Sequence, residues 1–441
     1  MKTILKNATL LPEHGFAGRP VQVLIENKRI AAITESPLDE TGADVVDCGG
    51  NLLIPAFYNA HCHAAMTLFR GYGEDLPLHR WLNEKIFPAE ELLTRKSVYV
   101  ATKWAIAEML RRGIASFSDM YMFEDAVADA VLETGIKANL ARSLVSFDPS
   151  ADPATDSRLA EAIALTKEYH MAADGALKID FSLHAEYTNL PHYCEYVGRY
   201  AKEHGLLMQL HLSETEEEHE ACIKRHGKTP SAFFADLGVF DTPTSAAHCV
   251  WLSDEDIAIL AEKGVTAVHN PVSNLKLGSG VMQLRKMLDK GINVTIGTDG
   301  VASNNNLDML KEFQYALLLS KGISRSPECL GARELFAAAT YNAGVFPPMR
   351  EFLSELRERG YKNRRVAIIE NGSWAPMATK VMKNMLDKSR TVHIVYLYVH
   401  IRNKDETIAR STYTCISFDN LVLLACKMGL VVFRDKISIF F

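Results

Sequence analysis

Two histidines separated by one residue offer the clearest chemistry in the sequence. His61 and His63 close the segment Pro55-Ala-Phe-Tyr-Asn-Ala-His-Cys-His63, which follows the apolar run Leu52-Leu53-Ile54. In a strand, residues i and i+2 point to the same side, so both imidazoles can reach one metal ion. Imidazole suits Zn, Fe, Ni or Cu. Two histidines cannot hold a catalytic metal alone, and an isolated pair is also compatible with chance, so further ligands must be sought elsewhere in the chain.

Short apolar runs rich in β-branched residues alternate with longer helical patterns between residue 52 and about residue 340. Eight such units favour a (β/α)₈ barrel of the α/β class, whose active site lies at the carboxyl ends of the strands. The predicted strands are Leu53–His61, Ile114–Asp119, Ala138–Ser143, Leu177–His184, Leu206–His211, Ser245–His248, Val265–His269 and Val294–Asp299. The predicted helices include Ser97–Arg112, Arg158–His170, Pro191–His204 and Asp254–Lys263.

The barrel hypothesis makes a test possible, because polar residues that close its strands should meet at one site. A lone histidine at a strand end is more often a structural residue, but a whole series is harder to attribute to chance. The residues that close the predicted strands are His61, His63, Asp119, His184, His211, His248, His269 and Asp299.

Composition makes some classes of function improbable but does not identify one. The 441 residues are 48% hydrophobic and 23% charged, with a net charge of −6, which gives no reason to expect nucleic acid or an anionic membrane as partner. The eight cysteines are scattered without a C-x-x-C pair, as expected for reduced thiols in a cytosol. The amino terminus lacks a signal-peptide core, and the late apolar run Leu421–Phe433 is too short to span a bilayer. We therefore expect a cytoplasmic protein with a small-molecule substrate and a possible homo-oligomeric state.

Three segments are predicted. Residues 1–51 read as a small β-domain, with Val21–Ile25 and Arg29–Ile33 joined by a turn. Residues 52–341 form the barrel. Residues 342–441 form an atypical tail with a different pattern.

Six motifs in order carry a resemblance to a known family. Residues 1 to about 341 resemble the amidohydrolase superfamily, and within it the chlorohydrolase-like deaminases of S-adenosylhomocysteine, methylthioadenosine and 5'-deoxyadenosine. The motifs are Asn59-Ala-His-Cys-His63, Arg70-Gly-Tyr-Gly-Glu-Asp75, His211-Leu-Ser-Glu-Thr215, His248-Cys, His269-Asn-Pro-Val-Ser-Asn274 and Gly297-Thr-Asp-Gly300.

The resemblance implies one divalent metal ion, Zn with Fe as the alternative, and a set of residues around it. The implied ligands are His61, His63, His211 and Asp299, which leave room for a water molecule. Asp299 would also accept a proton from that water.

Two more residues take catalytic roles by the same resemblance. His248 would orient the nucleophile and stabilise charge, and Glu214 would shuttle a proton to the ring nitrogen beside the attacked carbon. The alternative for Glu214 is a solvated carboxylate at a helix start, since Glu216, Glu217 and Glu218 follow it. The polar turn Asn304-Asn-Asn306 is expected to cap a helix and position Asp299.

Substrate contacts follow from the resemblance as well. Glu90 would bind the ribose hydroxyls, Trp81 in the lid-like stretch Leu76–Phe87 would cover the base, and His184 would meet the purine or the ribose. Arg142 and Arg158 match positions that could bind the carboxylate of a homocysteine tail. For each of the five residues the alternative is a surface salt bridge or core packing.

The tail departs from this family after about residue 340. Residues from about 340 to 390 resemble part of the flavodoxin-like domain of flavodiiron proteins, which implies a strand at Arg365–Ile369 and helices at Glu351–Arg359 and Met377–Leu386. The phosphate loop of that domain is absent from the sequence, so we expect no FMN binding and no cofactor beyond the metal. Without the family's returning strands, the amino-terminal sheet is expected to expose its edges.

The leading prediction is a metal-dependent hydrolase that deaminates the adenine of an adenosine-type nucleoside. One alternative is another amidohydrolase reaction, such as guanine or s-triazine deamination or dechlorination. An alternative from a different class is an inactive fusion product that lacks the family's carboxyl-terminal segment, with an electron-transfer module as its minor variant.

Overall fold

The structure is a computed structural model that describes residues 2–10, 20–27, 29–344, 364–370, 392–398 and 430–432. The described residues divide into two compact units. One comprises the described parts of residues 1–57, 113–115 and 345–441, and the other comprises residues 58–112 and 116–344.

The first unit is built on a sheet of short strands from the amino terminus. Strands β1 to β5 are Lys2–Leu10, Pro20–Glu26, Arg29–Thr34, Asp44–Asp47 and Leu52–Pro55. β1 pairs antiparallel with β2 and parallel with β4 and β5, while β2 and β3 form the predicted hairpin. Asn27 has a left-handed φ of 50° at this turn, as turn asparagines readily do. Alternate side chains of β2, from Val21 to Ile25, are buried in the apolar core of this sheet.

Eight strands form the central sheet of the barrel, and they neighbour one another in chain order. Strands β6 to β13 are Phe57–Cys62, Ile114–Tyr121, Lys137–Arg142, Leu177–Ser182, Met208–Leu212, Thr244–His248, Thr266–His269 and Val294–Ile296. Every registered pair from β7 to β13 is parallel. The backbone N–H of Asp299 donates to the carbonyl of His61 over 2.9 Å, which links the end of the series to its beginning. The predicted (β/α)₈ barrel is confirmed.

One close approach at this junction requires glycine. A Cβ on Gly297 would lie 2.6 Å from the side chain of Asn270 and 2.8 Å from the backbone of His61. These distances are shorter than real Cβ contacts, so a larger residue at this position would push the first and last strands apart. The Gly297-Thr-Asp-Gly300 motif is therefore partly a packing requirement.

Helices connect the barrel strands, and the four predicted ones are confirmed within two residues. They span Arg95–Arg111, Ser157–Tyr169, Pro191–Glu203 and Asp254–Lys263. Thr94 and Ser253 cap the first and last of these, each with a reciprocal bond to the third helical residue. The remaining α-helices are Leu78–Trp81, Phe87–Glu90, Glu124–Thr134, Ala172–Gly175, Glu216–His226, Pro230–Asp236, Pro271–Lys276, Leu284–Asp289, Val301–Asn304, Met309–Ser324, Ala332–Ala339 and Tyr341–Gly344. Leu82–Ile86 is a π-helix, and Ala64–Phe69, Pro153–Thr155, Glu186–Thr188 and Val239–Asp241 are 3₁₀-helices.

The prediction of one continuous strand from Leu53 to His61 was wrong. The segment is split into β5, which pairs with β1, and β6, which opens the barrel. Pro55 closes β5, and because proline has no N–H to donate, the ladder cannot continue through it.

The tail contributes three described strands. β14 (Arg364–Glu370) pairs parallel with β15 (Val392–Tyr398), which confirms the strand predicted at Arg365–Ile369. β16 (Leu430–Val432) pairs antiparallel with β5, so the amino-terminal sheet has a neighbour at the edge that we expected to be exposed. The predicted helices Glu351–Arg359 and Met377–Leu386 lie outside the described residues. Within the described ranges, every helix is too short or too polar to span a bilayer.

Candidate active site

Four candidate metal ligands converge at the carboxyl ends of the barrel strands. His61 lies on β6, His63 follows it, His211 lies on β10, and Asp299 follows β13. His63 Nε2 is 3.3 Å from Asp299 Oδ1 and 3.4 Å from His211 Nε2, while His61 Nε2 is 3.6 Å from Asp299 Oδ1. All four residues are buried. The structure therefore brings together the four side chains that the motifs singled out.

The hydrogen bonds of the histidines show where their lone pairs point. His63 Nδ1 donates to the carbonyl of Met120 and His211 Nδ1 donates to the carbonyl of His184, both over 2.7 Å. Since a carbonyl only accepts, Nδ1 carries a proton in both rings, and the Nε2 atoms, which face each other, are the nitrogens available to a cation. His61 Nε2 is buried without a hydrogen-bond partner. Three such nitrogens beside a carboxylate fit a divalent cation, and backbone carbonyls commonly orient metal-binding histidines in this way.

Asp299 is held in place from the side opposite the histidines. Ser273 Oγ and Ser303 Oγ both donate to Asp299 Oδ2, over 2.6 Å and 2.9 Å. Burial alone would raise the pKa of Asp299, but its close contacts with the imidazoles of His61 and His63 outweigh burial and hold that pKa well below its ordinary value. The carboxylate is thus ionised, with Oδ1 turned toward the imidazoles.

Burial and mutual repulsion keep most of the imidazoles neutral. Burial lowers the pKa of His61 to about 4, and burial with the neighbouring imidazoles lowers the pKa of His184 to about 3. Burial also acts to lower the pKa of His63, but the hydrogen bond and charge of Asp299 outweigh it and raise that pKa to about 9. A cation in this cluster would have to displace the proton of His63, so its affinity would rise with pH.

Glu214 and His248 form a second pair at the same end of the barrel. Glu214 Oε2 lies 3.6 Å from His248 Nε2, and Ser279 Oγ donates to Glu214 Oε1 over 3.1 Å. His248 Nδ1 donates to Asn274 Oδ1 over 2.8 Å, so Nε2 is the nitrogen that faces the glutamate. Burial raises the pKa of Glu214. A carboxyl with a raised pKa is suited to general acid–base catalysis near neutral pH.

One cavity of about 510 Å³ joins these residues to the predicted substrate contacts. Glu90 is one of its walls, with 9% of its surface exposed, and Tyr121 Oη donates to Glu90 Oε1 over 2.6 Å. Burial raises the pKa of Glu90. The predicted residues that line the cavity are His63, Trp81, Glu90, Arg142, Arg158, His184, His211, Glu214, His248 and Asp299.

The two arginines of the cavity already have acidic neighbours. Arg142 Nε donates to Glu161 Oε2 over 2.7 Å, and Arg158 Nη1 lies 3.8 Å from Asp156 Oδ2. The acidic neighbours expected from the salt-bridge alternative and the cavity position expected from substrate binding are therefore both present. Their role toward a substrate carboxylate stays a prediction.

Asp119 and His269, which close two of the predicted strands, are not among the described residues that line this cavity. Asp119 accepts the N–H of Ala64 over 3.2 Å, and burial raises its pKa to about 7. His269 is buried, both of its ring nitrogens lack a hydrogen-bond partner among the described residues, and burial lowers its pKa to about 3.

Sequence reasoning gave no role to the residues that support the site. Ser273 and Asn274 stand in the His269-Asn-Pro-Val-Ser-Asn274 motif, so the motif was the available signal, whereas nothing marked Ser279 or Tyr121. Asn304, expected to position Asp299, donates to the carbonyl of Thr298, the residue before Asp299, over 2.7 Å.

Comparisons with known proteins agree with this arrangement. A sequence profile described as the amidohydrolase family matches residues 52–344. The chain is 42% identical over 345 residues to a 5-methylthioadenosine/S-adenosylhomocysteine deaminase from Moorella thermoacetica, covering 77% of this chain and 79% of the relative. It is 40% identical over 320 residues to a 5'-deoxyadenosine deaminase from Methanothermobacter thermautotrophicus, covering 73% and 74%. A crystal structure of an adenosine deaminase from Xanthomonas campestris with bound zinc superposes with a TM-score of 0.70 at 31% identity, covering 77% and 79%.

Proposed function

The chain belongs to the amidohydrolase family, and from that premise we propose that it is a metal-dependent deaminase of adenosine-type nucleosides. The substrates proposed are S-adenosylhomocysteine, methylthioadenosine, 5'-deoxyadenosine and adenosine. The products are ammonia and the corresponding inosine analogue. The relatives with deaminase names support this substrate class.

The observation that carries the proposal is the shared cavity. It is lined by Glu214, His248 and Glu90 together with three of the four candidate ligands, His63, His211 and Asp299. A carboxylate placed against the cavity can accept hydrogen bonds from two ribose hydroxyls. A heterocycle without a sugar would add no hydrogen bonds to the one that Tyr121 already donates, which leaves part of this buried carboxylate unsatisfied.

We propose Zn²⁺ as the metal, held by His61, His63, His211 and Asp299. When bound, the ion would lower the pKa of a water molecule to about 7 and so supply a nucleophile near neutral pH. Three neutral imidazoles and one carboxylate are a usual zinc donor set, and Fe is the alternative that elemental analysis would distinguish.

The protein's own residues would move the protons. Asp299 takes one proton from the attacking water, and Glu214 gives its proton to the ring nitrogen beside the carbon that carries the amino group. His248 lies against Glu214 and stabilises charge on the added oxygen. As the carbonyl forms, Glu214 recovers a proton from the added hydroxyl, and the proton on Asp299 leaves with the amino group as ammonia.

The remaining contacts would select the nucleoside. Glu90, oriented by Tyr121, binds the ribose, while Trp81 and His184 contact the base or the sugar. Arg142 and Arg158 bind the carboxylate of a homocysteine tail when the substrate has one.

We also propose that residues 52–341 carry the chemistry, with residues 1–51 and 342–441 outside it, in a cytoplasmic protein that can form a homo-oligomer. All residues assigned a role lie between His61 and Asp299.

Ammonia release tests the proposed function. The zinc-loaded protein is incubated separately with 5'-deoxyadenosine, methylthioadenosine, S-adenosylhomocysteine and adenosine. Adenine, guanine and an amino-s-triazine are tested in the same way as substrates of the alternative reactions. We expect the ribosides to be deaminated and free adenine to be a poor substrate. Faster turnover of guanine or of the triazine would replace the nucleoside assignment, and no ammonia from any compound would favour the inactive alternative.

A further inference from the structure

A second buried carboxylate lies directly behind Glu214. Glu218 has 6% of its surface exposed, although its neighbours Glu216 and Glu217 are exposed. Its Oε1 accepts the backbone N–H of Ser213 over 3.0 Å, and its Oε2 accepts the backbone N–H of Glu214 over 2.7 Å. The Glu218 carboxylate therefore binds the backbone amides of Ser213 and Glu214, and Glu214 is the residue proposed to move the proton.

These bonds differ from those of an ordinary helix cap. Glu218 is the third residue of the helix Glu216–His226, and its own N–H donates to the side chain of the N-cap residue Thr215. In a capping box, the glutamate at this position returns a bond to the N–H of the N-cap residue itself. Here the carboxylate reaches past Thr215 to the two residues before it. It therefore secures the loop between β10 and the helix.

The loop needs such support because its first residue is strained. Ser213 has a φ of 47°, in the left-handed region that residues other than glycine avoid. Its carbonyl accepts N–H bonds from Val250 and Trp251 over 3.1 Å and 3.0 Å, so the loop is held on that side by the segment after β11. On its other side, the two amides are held by Glu218. A carboxylate bound by two amides makes stronger bonds than a neutral acceptor would.

From this geometry we infer that Glu218 is a positioning residue, which fixes the backbone of Ser213 and Glu214 so that the Glu214 carboxylate stays against His248. The inference rests on the proposed function for its effect on catalysis. Its structural content, the restraint of two named amides, is independent of that function. Glu218 acts through Glu214, because it is among neither the described residues that line the 510 Å³ cavity nor the side-chain groups there that could hold an ion.

Steady-state kinetics test the catalytic effect. Glu218→Gln keeps the side-chain size but offers one acceptor oxygen and turns an NH₂ group toward an amide N–H. We expect kcat to fall about tenfold to a hundredfold with KM within about twofold, because a misplaced acid lowers the rate without removing substrate contacts. Glu217→Gln, the matched control at an exposed neighbour, should keep the wild-type kcat. Wild-type kcat in a folded Glu218→Gln would overturn the inference.

A double variant separates positioning from general damage. If Glu218 acts through Glu214, adding Glu218→Gln to Glu214→Gln should lower kcat by less than about twofold further, since coupled residues are not additive. An equal loss in both backgrounds would show that Glu218 supports the fold at large, and the inference would be wrong.

Hydrogen exchange gives a readout that does not depend on activity. In peptides that cover residues 208–220, we expect the amides of Ser213 and Glu214 to exchange at least about tenfold faster in Glu218→Gln than in wild type, and unchanged in Glu217→Gln. Unchanged exchange in Glu218→Gln would refute the restraint. If the wild type released no ammonia, the proposed function would fail while this measurement would still decide the role of Glu218. Should Glu218→Gln not fold, Glu218→Asp takes its place with the same expected results, because its carboxylate is withdrawn by one methylene.

Discussion

Replacing Glu214 by glutamine is the most direct perturbation of the proposed chemistry. The side chain is buried, with 5% of its surface exposed, and its Oε1 accepts the hydroxyl of Ser279. Glutamine keeps the volume and an acceptor for Ser279. Its amide group has no acidic proton to transfer. The change therefore removes proton transfer while leaving the packing in place.

The magnitude follows from the single function that is removed. General acid–base catalysis contributes about 10²–10⁴-fold, so kcat of Glu214→Gln should fall by that range, or about 3–5 kcal/mol of activation free energy. Metal content should not change, because Glu214 is in neither of the side-chain groups that can hold an ion within the described residues. KM should change little, since the same atoms border the cavity.

The assay compares ammonia release with metal content in the same preparation. Zinc per chain is measured by elemental analysis, and kcat is measured with 5'-deoxyadenosine for wild type, Glu214→Gln and Glu217→Gln. Glu217 is an exposed glutamate of the same run, so its variant controls for the loss of one negative charge near the site. We expect only Glu214→Gln to lose activity, with zinc equal in all three.

Two results would contradict this reasoning. A Glu214→Gln variant within about tenfold of wild type would show that the carboxylate is not the proton carrier and that another group or water supplies the proton. A variant that loses zinc together with activity would show that Glu214 acts on the metal site, and the separation of roles argued from the distances would be wrong.

Further predictions concern the metal, the substrate, the pH dependence of stability and the tail. The double variant His61→Ala/His63→Ala should contain less zinc per chain than wild type when both are measured by elemental analysis. Equal metal in variant and wild type would show that the ligand assignment is wrong. Glu90→Ala should lower kcat/KM for ribosides far more than for free adenine, and an unchanged ratio would point to a smaller heterocycle. Burial raises the pKa of Glu312 from 4.5 to about 8, so the folded chain keeps a proton that the unfolded chain has released. Its stabilising contribution is complete below about pH 4.5 and is lost as the pH rises through about 8, so the Tm of Glu312→Gln should fall less over this window than the Tm of wild type. Flavin fluorescence should show no saturable quenching by the full chain if residues 342–441 bind no FMN.

The barrel could be predicted because each strand is a short apolar run between helical patterns. Parallel strands covered on both faces are apolar throughout, and β10, from Met208 to Leu212, is buried at every residue. The error at residues 53–61 has the same origin. Two strands in succession look like one when a single residue lies between them, but their partners differ. Leu53 of β5 pairs with Leu10 and Val432, whereas β6 belongs to the sheet of the barrel.

The candidate ligands could also be located from sequence, because strand ends in a barrel meet at one face. Their supporting contacts could not. Ser279 reaches Glu214 from a loop 65 residues away, and Ser273 reaches Asp299 from 26 residues away. Such contacts depend on how a loop and the short helix Pro271–Lys276 pack against distant strand ends, which no periodic pattern records.

The backbone at the strand ends explains why those supporting contacts matter. Ser213, His248 and Asp299 have φ values of 47°, 73° and 61°, so all three are in the left-handed region although none is glycine. Such conformations persist only where surrounding contacts determine them more strongly than local preference does. Each of the three has a contact of this kind: Glu218 binds the amide of Ser213, Asn274 binds the ring of His248, and serine hydroxyls bind the carboxylate of Asp299. A strand that continued in extended geometry would alternate its side chains across the sheet, and the left-handed residue breaks that alternation at the point where the chain leaves the barrel. The supporting residues therefore determine where the reactive side chains point, and their substitution should lower activity although they take no part in the chemistry.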